Sequence, residues 1–235
     1  MAIDFYLREH EPKGKFIPLD ASERLMFITH RTSKYTELDE VKMVLEGGCS
    51  WIQLRMKDNM NKQSARAIGQ YISEHERKCI YCINDDIKIA LIYVGATAVH
   101  LGKEDIPVST AWDIASMELE RDEVFYIGAT ANTFEDIQHA VEEGASYIGL
   151  GPFRHTETKK KLSPVLGLEG YQKIMQQCKD ADYNIPIFAI GGICLEDVGP
   201  LMQTGITGIA VSGAIINADD PVEETRRFIN EINKY

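Results

Sequence analysis

A short run of polar side chains within an apolar segment, Trp51–Lys57, has the composition of an anion-binding strand. Gln53, Arg55 and Lys57 alternate with apolar residues, so in a β-strand these three side chains share one face. Buried cations cost free energy unless they meet an anion. We interpret the run as a strand with an anion-binding face. The alternative is a strand at the edge of a sheet whose polar face lies in water.

Two carboxylates follow neighbouring predicted strands. Asp85 comes directly after Ile80–Asn84, and Asp105 follows Ala98–Leu101. Two carboxylates, together with water and phosphate oxygens, form the kind of oxygen site that Mg²⁺ prefers. Asp85 could instead cap a helix, and Asp105 could be a turn residue before Pro107. The pair therefore predicts a magnesium site, with local structural roles as the alternative.

Glycine-containing turns follow the last two predicted strands, at Gly191–Gly192 and Ser212–Gly213. In barrels of alternating strands and helices, this position commonly binds a phosphate through backbone N–H groups. Glycine allows the main chain to approach the phosphate oxygens closely. The turns are predicted to bind phosphate, and the alternative is that their glycines only permit tight turns.

The charge of the chain supports a small anionic ligand and argues against larger anionic partners. The formal net charge is −11, which disfavours nucleic acid and anionic membranes as the main partner. Within this acidic chain, Arg55, Lys57 and Lys159 are candidates for a local cationic pocket. A pocket of this kind suggests small phosphorylated substrates, with a metal ion offsetting the long-range repulsion.

Apolar strand-like runs alternate with amphipathic helical patterns along the chain, for example the helix predicted over Glu37–Glu46. Eight such units predict a single (β/α)₈ TIM barrel over residues 25–235, preceded by an N-terminal extension, 1–24, whose polar composition is compatible with disorder. The rival is an open doubly wound sheet, but the first strand lacks a following Gly-x-Gly-x-x-Gly. The predicted strands are Leu25–Thr29, Trp51–Arg55, Ile80–Asn84, Ala98–Leu101, Phe125–Ala129, Tyr147–Leu150, Ile187–Ile190 and Gly208–Val211.

Location and assembly follow less directly from the sequence. No segment resembles a transmembrane span or a secretory signal. The five cysteines are odd in number and scattered, which favours the reducing cytoplasm. The sequence does not determine the oligomeric state and is compatible with a homo-oligomer.

Together, these motifs resemble those of the thiamine phosphate synthase family, also called thiamine phosphate pyrophosphorylase. The resemblance runs from about Leu25 to the C-terminus, and its motifs are specific only in combination. The matching stretches are Gln53–Lys57, Ile83–Asp85, Ala98–Asp105, Gly149–Lys159, Ala189–Ile193 and Val211–Ser212.

The resemblance implies a transferase of thiamine biosynthesis. It would join hydroxymethylpyrimidine diphosphate to thiazole phosphate by Mg²⁺-assisted, dissociative release of diphosphate. Asp85 and Asp105 would bind Mg²⁺, Gln53 would contact the pyrimidine, and Thr156 and Thr158 would lie near the thiazole. Two further sets complete the implied site: Arg55, Lys57, Asn84, Lys159 and Thr130 (in place of the usual serine) for diphosphate, and Gly192, Val211, Ser212 and Gly213 for the thiazole phosphate.

Two departures from the family pattern lie near the implied metal site. Asp86 stands where arginine is usual, and Lys103 stands where glutamine is common.

Two alternatives to the synthase function remain open. The first is a thiazole tautomerase on the same fold, although Pro152 replaces the histidine that such isomerases use for proton transfer. The second is a non-catalytic sensor of phosphorylated ligands, which only Asp86 favours.

Overall fold

Eight short parallel strands close into a barrel in which each strand pairs with the next and β8 pairs with β1. A computed structural model of the chain describes residues 19–56, 61–75, 78–120, 123–155 and 164–235. The strands are β1 Leu25–Ile28, β2 Trp51–Leu54, β3 Ile80–Asn84, β4 Ala98–Leu101, β5 Tyr126–Ala131, β6 Tyr147–Leu150, β7 Ile187–Ile190 and β8 Gly208–Val211.

Helices lie between the strands and after the last one. They are α1 Glu37–Glu46, α2 Lys62–Ser73, α3 Val108–Glu118, α4 Phe134–Glu142, α5 Gly167–Asp180, α6 Val198–Met202, α7 Gly213–Ile216 and α8 Pro221–Ile232. A π-helical segment, Ile89–Tyr93, follows β3, and a 3₁₀ turn, Leu195–Asp197, precedes α6. Thr36 and Thr133 begin α1 and α4 with reciprocal capping boxes, which satisfy the first backbone N–H groups of each helix.

The barrel has an outer core and an inner core because side chains alternate along each strand. The outer core lies between the sheet and the helices and contains Ile52 and Leu54 of β2. The inner core fills the barrel with aromatic rings. Trp51, Tyr147 and Phe188 contact one another edge to face, with Trp51 at 4.9 Å from each of the other two ring centroids.

The closed barrel confirms the predicted fold class and excludes the open sheet. Five strands have the predicted bounds, while β1 and β2 end one residue earlier than predicted and β5 is shifted toward its C-terminal end. Gly48, Gly95, Gly144 and Gly205 have positive φ after the helical segments, as expected for left-handed caps. Among the described residues, no helix combines the length and the apolar character needed to cross a bilayer.

Candidate active site

A cavity of about 760 Å³ opens at the C-terminal ends of the strands. Pockets for small ligands span about 300–1,000 Å³, so the volume is suitable for organic substrates. Apolar side chains such as Ile190 and Val211 line one part of the wall, and polar groups from several strands converge on the rest. The predicted site residues that line the cavity are Gln53, Arg55, Asn84, Asp85, Asp105, Thr130, Gly192, Val211, Ser212 and Gly213.

Hydrogen bonds between neighbouring strand ends position the polar residues of β2 and β3. Thr29, which is 1% exposed, accepts a hydrogen bond from the Arg55 backbone N–H at 2.9 Å and donates to the Arg55 carbonyl at 3.1 Å. Gln53 donates from Nε2 to Asn84 Oδ1 at 3.1 Å, and the Asn84 side chain acts to lower the pKa of the neighbouring Asp85. The polar face of β2 is therefore held in a fixed orientation toward the cavity.

The side chains of Asp85 and Asp105 line the same cavity and interact electrostatically. Desolvation, and then the negative charge of Asp105, raise the pKa of Asp85 to about 6, against the opposing charge of Arg55. Asp105 also accepts a hydrogen bond from the Gly102 N–H at 2.6 Å, so it closes its own turn while facing Asp85. Two adjacent carboxylates that repel each other are a suitable place for a divalent cation.

The donor set fits a cation that keeps much of its water. In the described ranges no group of three or more His, Cys, Asp or Glu side chains could hold a metal ion. A site of two carboxylates matches Mg²⁺, which needs few protein ligands and shares substrate phosphates. The Asp86 carboxylate, which departs from the family pattern, accepts a hydrogen bond from the Ile89 N–H at 2.9 Å, at the start of the π-helical segment. Lys103 forms an ion pair with Asp136.

The opposite end of the cavity is built from the turns after β7 and β8. Gly191 and Gly192 have φ values of 103° and 65°, which L-residues with side chains rarely adopt. The Ser212 hydroxyl oxygen is buried and has no hydrogen-bond partner among the described residues. A buried unpaired hydroxyl is costly, so a ligand oxygen at this point would satisfy it.

The Arg154 guanidinium ties the β6 and β7 loops together. It donates to the Gly192 carbonyl at 2.6 Å and to both oxygens of Asp197 at 2.8 and 2.9 Å. The backbone of Arg154 also donates to the Gly191 carbonyl at 3.0 Å. These bonds fix the Gly191–Gly192 turn relative to the loop that follows β6.

Four predicted site residues, Lys57, Thr156, Thr158 and Lys159, lie outside the described residues. Their places in the site remain predictions. Sequence reasoning assigned no role to two residues at strand ends that shape the cavity, Thr29 and Asn132. The Asn132 side-chain amide donates to the Gly151 carbonyl. Thr29 carries only a weak sequence signal, a hydroxyl residue at the end of an apolar strand.

Comparisons with known proteins agree with the geometry. The family model described as thiamine monophosphate synthase matches residues 25–215. A thiamine-phosphate synthase of Phocaeicola vulgatus is 49% identical over 212 residues, covering 90% of this chain and 99% of the relative. One from Pyrococcus horikoshii is 37% identical and covers 89% of this chain and 96% of the relative.

A solved structure extends the agreement to three dimensions. The thiamine phosphate pyrophosphorylase from Pyrococcus furiosus superimposes with a TM-score of 0.75 at 31% sequence identity, covering 92% of this chain and 98% of that one. A 3-hexulose-6-phosphate synthase at 16% identity, with a TM-score of 0.66, shares the fold alone. The family match covers most of the chain, and the cavity lies where that barrel carries its chemistry. The chain therefore belongs to the thiamine monophosphate synthase family and is a transferase enzyme of thiamine biosynthesis.

Proposed function

We propose that this enzyme joins hydroxymethylpyrimidine diphosphate to thiazole phosphate and releases diphosphate, with Mg²⁺ as the cofactor. The observation that carries the proposal is the composition of one cavity. A region with Arg55, Asp85 and Asp105 suits a diphosphate with its metal, and a region with Gly192 and Ser212 suits a second phosphate. A cavity with two anion-binding regions matches a reaction between two phosphorylated substrates.

The departing diphosphate would be bound mainly by residues of β2, β3 and β5. Arg55 presents a planar guanidinium that can contact two phosphate oxygens at once. Asn84 and Thr130 would donate further hydrogen bonds, and Lys57 and Lys159 are proposed here from the family resemblance. Bound at Asp85 and Asp105, Mg²⁺ would supply positive charge that neutralises the leaving group. These groups stabilise the charge that develops as the bond breaks.

The rest of the cavity would orient the two rings and exclude water. Loss of diphosphate leaves a positive charge on the pyrimidine methylene, which the amino group of the ring delocalises. Gln53 would hold the pyrimidine, and Thr156 and Thr158 would lie near the thiazole, whose nitrogen attacks the methylene carbon. Apolar walls at Ile190 and Val211 would keep water from capturing this centre. Orientation of two bound substrates supplies much of the rate.

The phosphate of the thiazole substrate would bind at the turns after β7 and β8. Gly192, Val211, Ser212 and Gly213 line that part of the cavity, and the unpaired Ser212 hydroxyl would donate to a phosphate oxygen. Pro152 also lines the cavity and cannot shuttle a proton, which argues against a thiazole tautomerase.

The direct test is incubation of the purified protein with both substrates and Mg²⁺, with chromatographic detection of thiamine phosphate. We expect Arg55→Lys to lower kcat/KM on the order of 100-fold, because the bidentate contact to the leaving group is lost. Arg226→Lys, an exposed arginine of α8, is the matched control and should retain wild-type activity.

Three results would contradict the proposal. Absence of thiamine phosphate with both substrates present would exclude the synthase reaction. Isomerisation of the thiazole without the pyrimidine would establish the tautomerase instead. Tight binding of both phosphorylated ligands without turnover would favour the non-catalytic sensor.

A further inference from the structure

Four side chains inside the barrel form a continuous hydrogen-bonded chain that ends at the cavity. Cys82 Sγ lies 3.4 Å from the Tyr147 hydroxyl, and that hydroxyl lies 3.2 Å from His100 Nδ1. His100 Nε2 lies 3.0 Å from Thr130 Oγ1. Thr130 and His100 both line the cavity, whereas Cys82 and Tyr147 are fully buried. The chain therefore links the inner core to the proposed diphosphate region.

The surrounding barrel is shaped to accommodate this chain. A Cβ atom on Gly128 would lie 2.1 Å from Tyr147 Cζ, and a Cβ atom on Gly149 would lie 3.0 Å from His100 Cε1. Gly128 stands opposite His100 in the strand register, and Gly149 stands opposite Thr130. Trp51 packs edge to face against the Tyr147 ring. Glycines at these two positions leave room for both rings, so the rings are held in place by packing.

With a neutral His100 ring, two arrangements of the protons connect all four side chains. Burial raises the pKa of the Cys82 thiol to about 12 and the pKa of Tyr147 well above its usual range, so both groups keep their protons. In one direction Cys82 donates to Tyr147, Tyr147 to His100 Nδ1, and His100 Nε2–H to Thr130. The Thr130 proton then points into the cavity. In the other direction the Thr130 hydroxyl donates to His100 Nε2, and its oxygen can then only accept a hydrogen bond from a group in the cavity.

We infer that His100 is a positioning residue that makes the Thr130 hydroxyl a hydrogen-bond donor toward the anion bound in the cavity. The inference rests on the proposed function, which puts diphosphate oxygens beside Thr130. Those oxygens only accept hydrogen bonds, so they select the first direction, with the proton of His100 on Nε2. In that arrangement the Tyr147 hydroxyl donates to His100 Nδ1 from the buried side. Hydrogen bonds to a charged acceptor are among the stronger ones in proteins.

The first measurement is the tautomer of His100 in the wild-type protein, read by two-bond ¹⁵N–¹H correlation spectra of the imidazole. With inorganic diphosphate and Mg²⁺ added, we expect a neutral ring protonated on Nε2. The signal is assigned by its loss in His100→Gln. Protonation on Nδ1 in the diphosphate complex would overturn the inference. The tautomer is read in the wild-type protein, so this measurement does not depend on any substitution at Thr130.

The second measurement is a double-mutant cycle on diphosphate affinity, measured by calorimetry in Mg²⁺. Gln can place an amide N–H where Nε2–H stood, whereas Asn reaches toward Tyr147 but falls short of Thr130. We expect His100→Asn to weaken diphosphate binding by about tenfold and His100→Gln to restore most of it. In a Thr130→Val background the loss from His100→Asn should disappear. Melting temperatures of all variants report whether the barrel stays folded.

The outcomes separate this inference from the proposed function. If the wild-type protein does not bind diphosphate with Mg²⁺, the proposed function fails and this inference fails with it. If the wild-type protein binds but the losses at His100 and Thr130 simply add, the proposed function stands and His100 does not act through Thr130. Equal affinities of the Asn and Gln variants would have the same meaning.

Discussion

At the scale of single residues, Asp85 combines two unfavourable features. Its backbone φ is 70°, a left-handed conformation that costs most L-residues about 1–2 kcal/mol. Its carboxylate also faces Asp105, and desolvation with that charge raises its pKa to about 6. A carboxylate with a raised pKa in the folded state costs stability as the pH rises from its unfolded pKa, here 3.8, through about 6. We attribute the retention of this arrangement to the proposed binding of Mg²⁺.

Asp85→Asn should therefore separate stability from ligand binding. Asn tolerates the left-handed conformation and carries no charge, so we expect a melting temperature about 2–4 °C higher than wild type at pH 8 in chelator. Affinity for diphosphate in Mg²⁺ should fall on the order of 10–100-fold. Asp113→Asn, an exposed site on α3, is the control. Unchanged diphosphate affinity in the Asp85 variant would remove this carboxylate from the metal site.

At the scale of elements, α1 carries a buried carboxylate that the sequence pattern alone does not explain. Glu40 is 0% exposed, accepts a hydrogen bond from the His30 N–H at 2.8 Å, and leaves Oε1 without a partner among the described residues. Desolvation is the main reason that its pKa rises to about 7, and the charge of Glu37 adds to it. Glu40 thus connects α1 to His30, the second residue after β1.

Glu40→Gln should change the pH dependence of stability. The folded pKa of about 7 exceeds the unfolded value of 4.5, so this group costs stability as the pH rises from about 4.5 through 7. The free energy of unfolding of Glu40→Gln, minus that of wild type, should increase by about 3 kcal/mol across this window. Urea unfolding at several pH values measures the difference. Glu46→Gln, exposed on the same helix, should show no such trend, and a flat difference for Glu40→Gln would contradict the assignment.

The β6 and β7 loops form a second linked pair of elements through Arg154. Its guanidinium contacts the Gly192 carbonyl and both oxygens of Asp197, a fork that lysine cannot reproduce. If Gly192 binds the thiazole phosphate, Arg154→Lys should raise the KM for that substrate about tenfold. The KM for the pyrimidine diphosphate should change little. Arg227→Lys, at an exposed arginine that pairs with Glu224 on α8, is the control. Equal rises in the KM values for the two substrates would argue against a role of Arg154 confined to the Gly192 turn.

Elements with strong local signals were predictable from the sequence, and others were not. Runs such as Ile187–Ile190, bounded by proline and glycine, gave correct strand limits because pattern and turn chemistry agree. Helix α3 begins after Pro107 without a side-chain cap and has no acidic residue in its first turn, so little marks its start. The π-helical segment Ile89–Tyr93 likewise depends on tertiary packing rather than on a motif.

At the scale of the whole molecule, the candidate site was predictable where residues follow strand ends directly. Asp85 and Asp105 could be placed together because parallel strands end on one side of the barrel. The contacts from Cys82 through Tyr147 to His100 join residues up to 65 positions apart and depend on strand register. No local pattern encodes that register, so these contacts needed the structure.

Ligand-linked stability tests the site as one unit, because a ligand that binds only the folded chain stabilises all of it. At a free diphosphate concentration 100 times its Kd, with Mg²⁺ present, the gain is about 2.7 kcal/mol. For a chain of 235 residues this corresponds to a rise in melting temperature of about 5–10 °C. Diphosphate with chelator, or Mg²⁺ alone, should give a much smaller rise, because each leaves part of the charge in the cavity uncompensated. Asp85→Asn should lose most of the combined effect. Equal shifts with and without Mg²⁺ would mean that the cations of the chain bind the anion unaided, and the two carboxylates would then need another explanation.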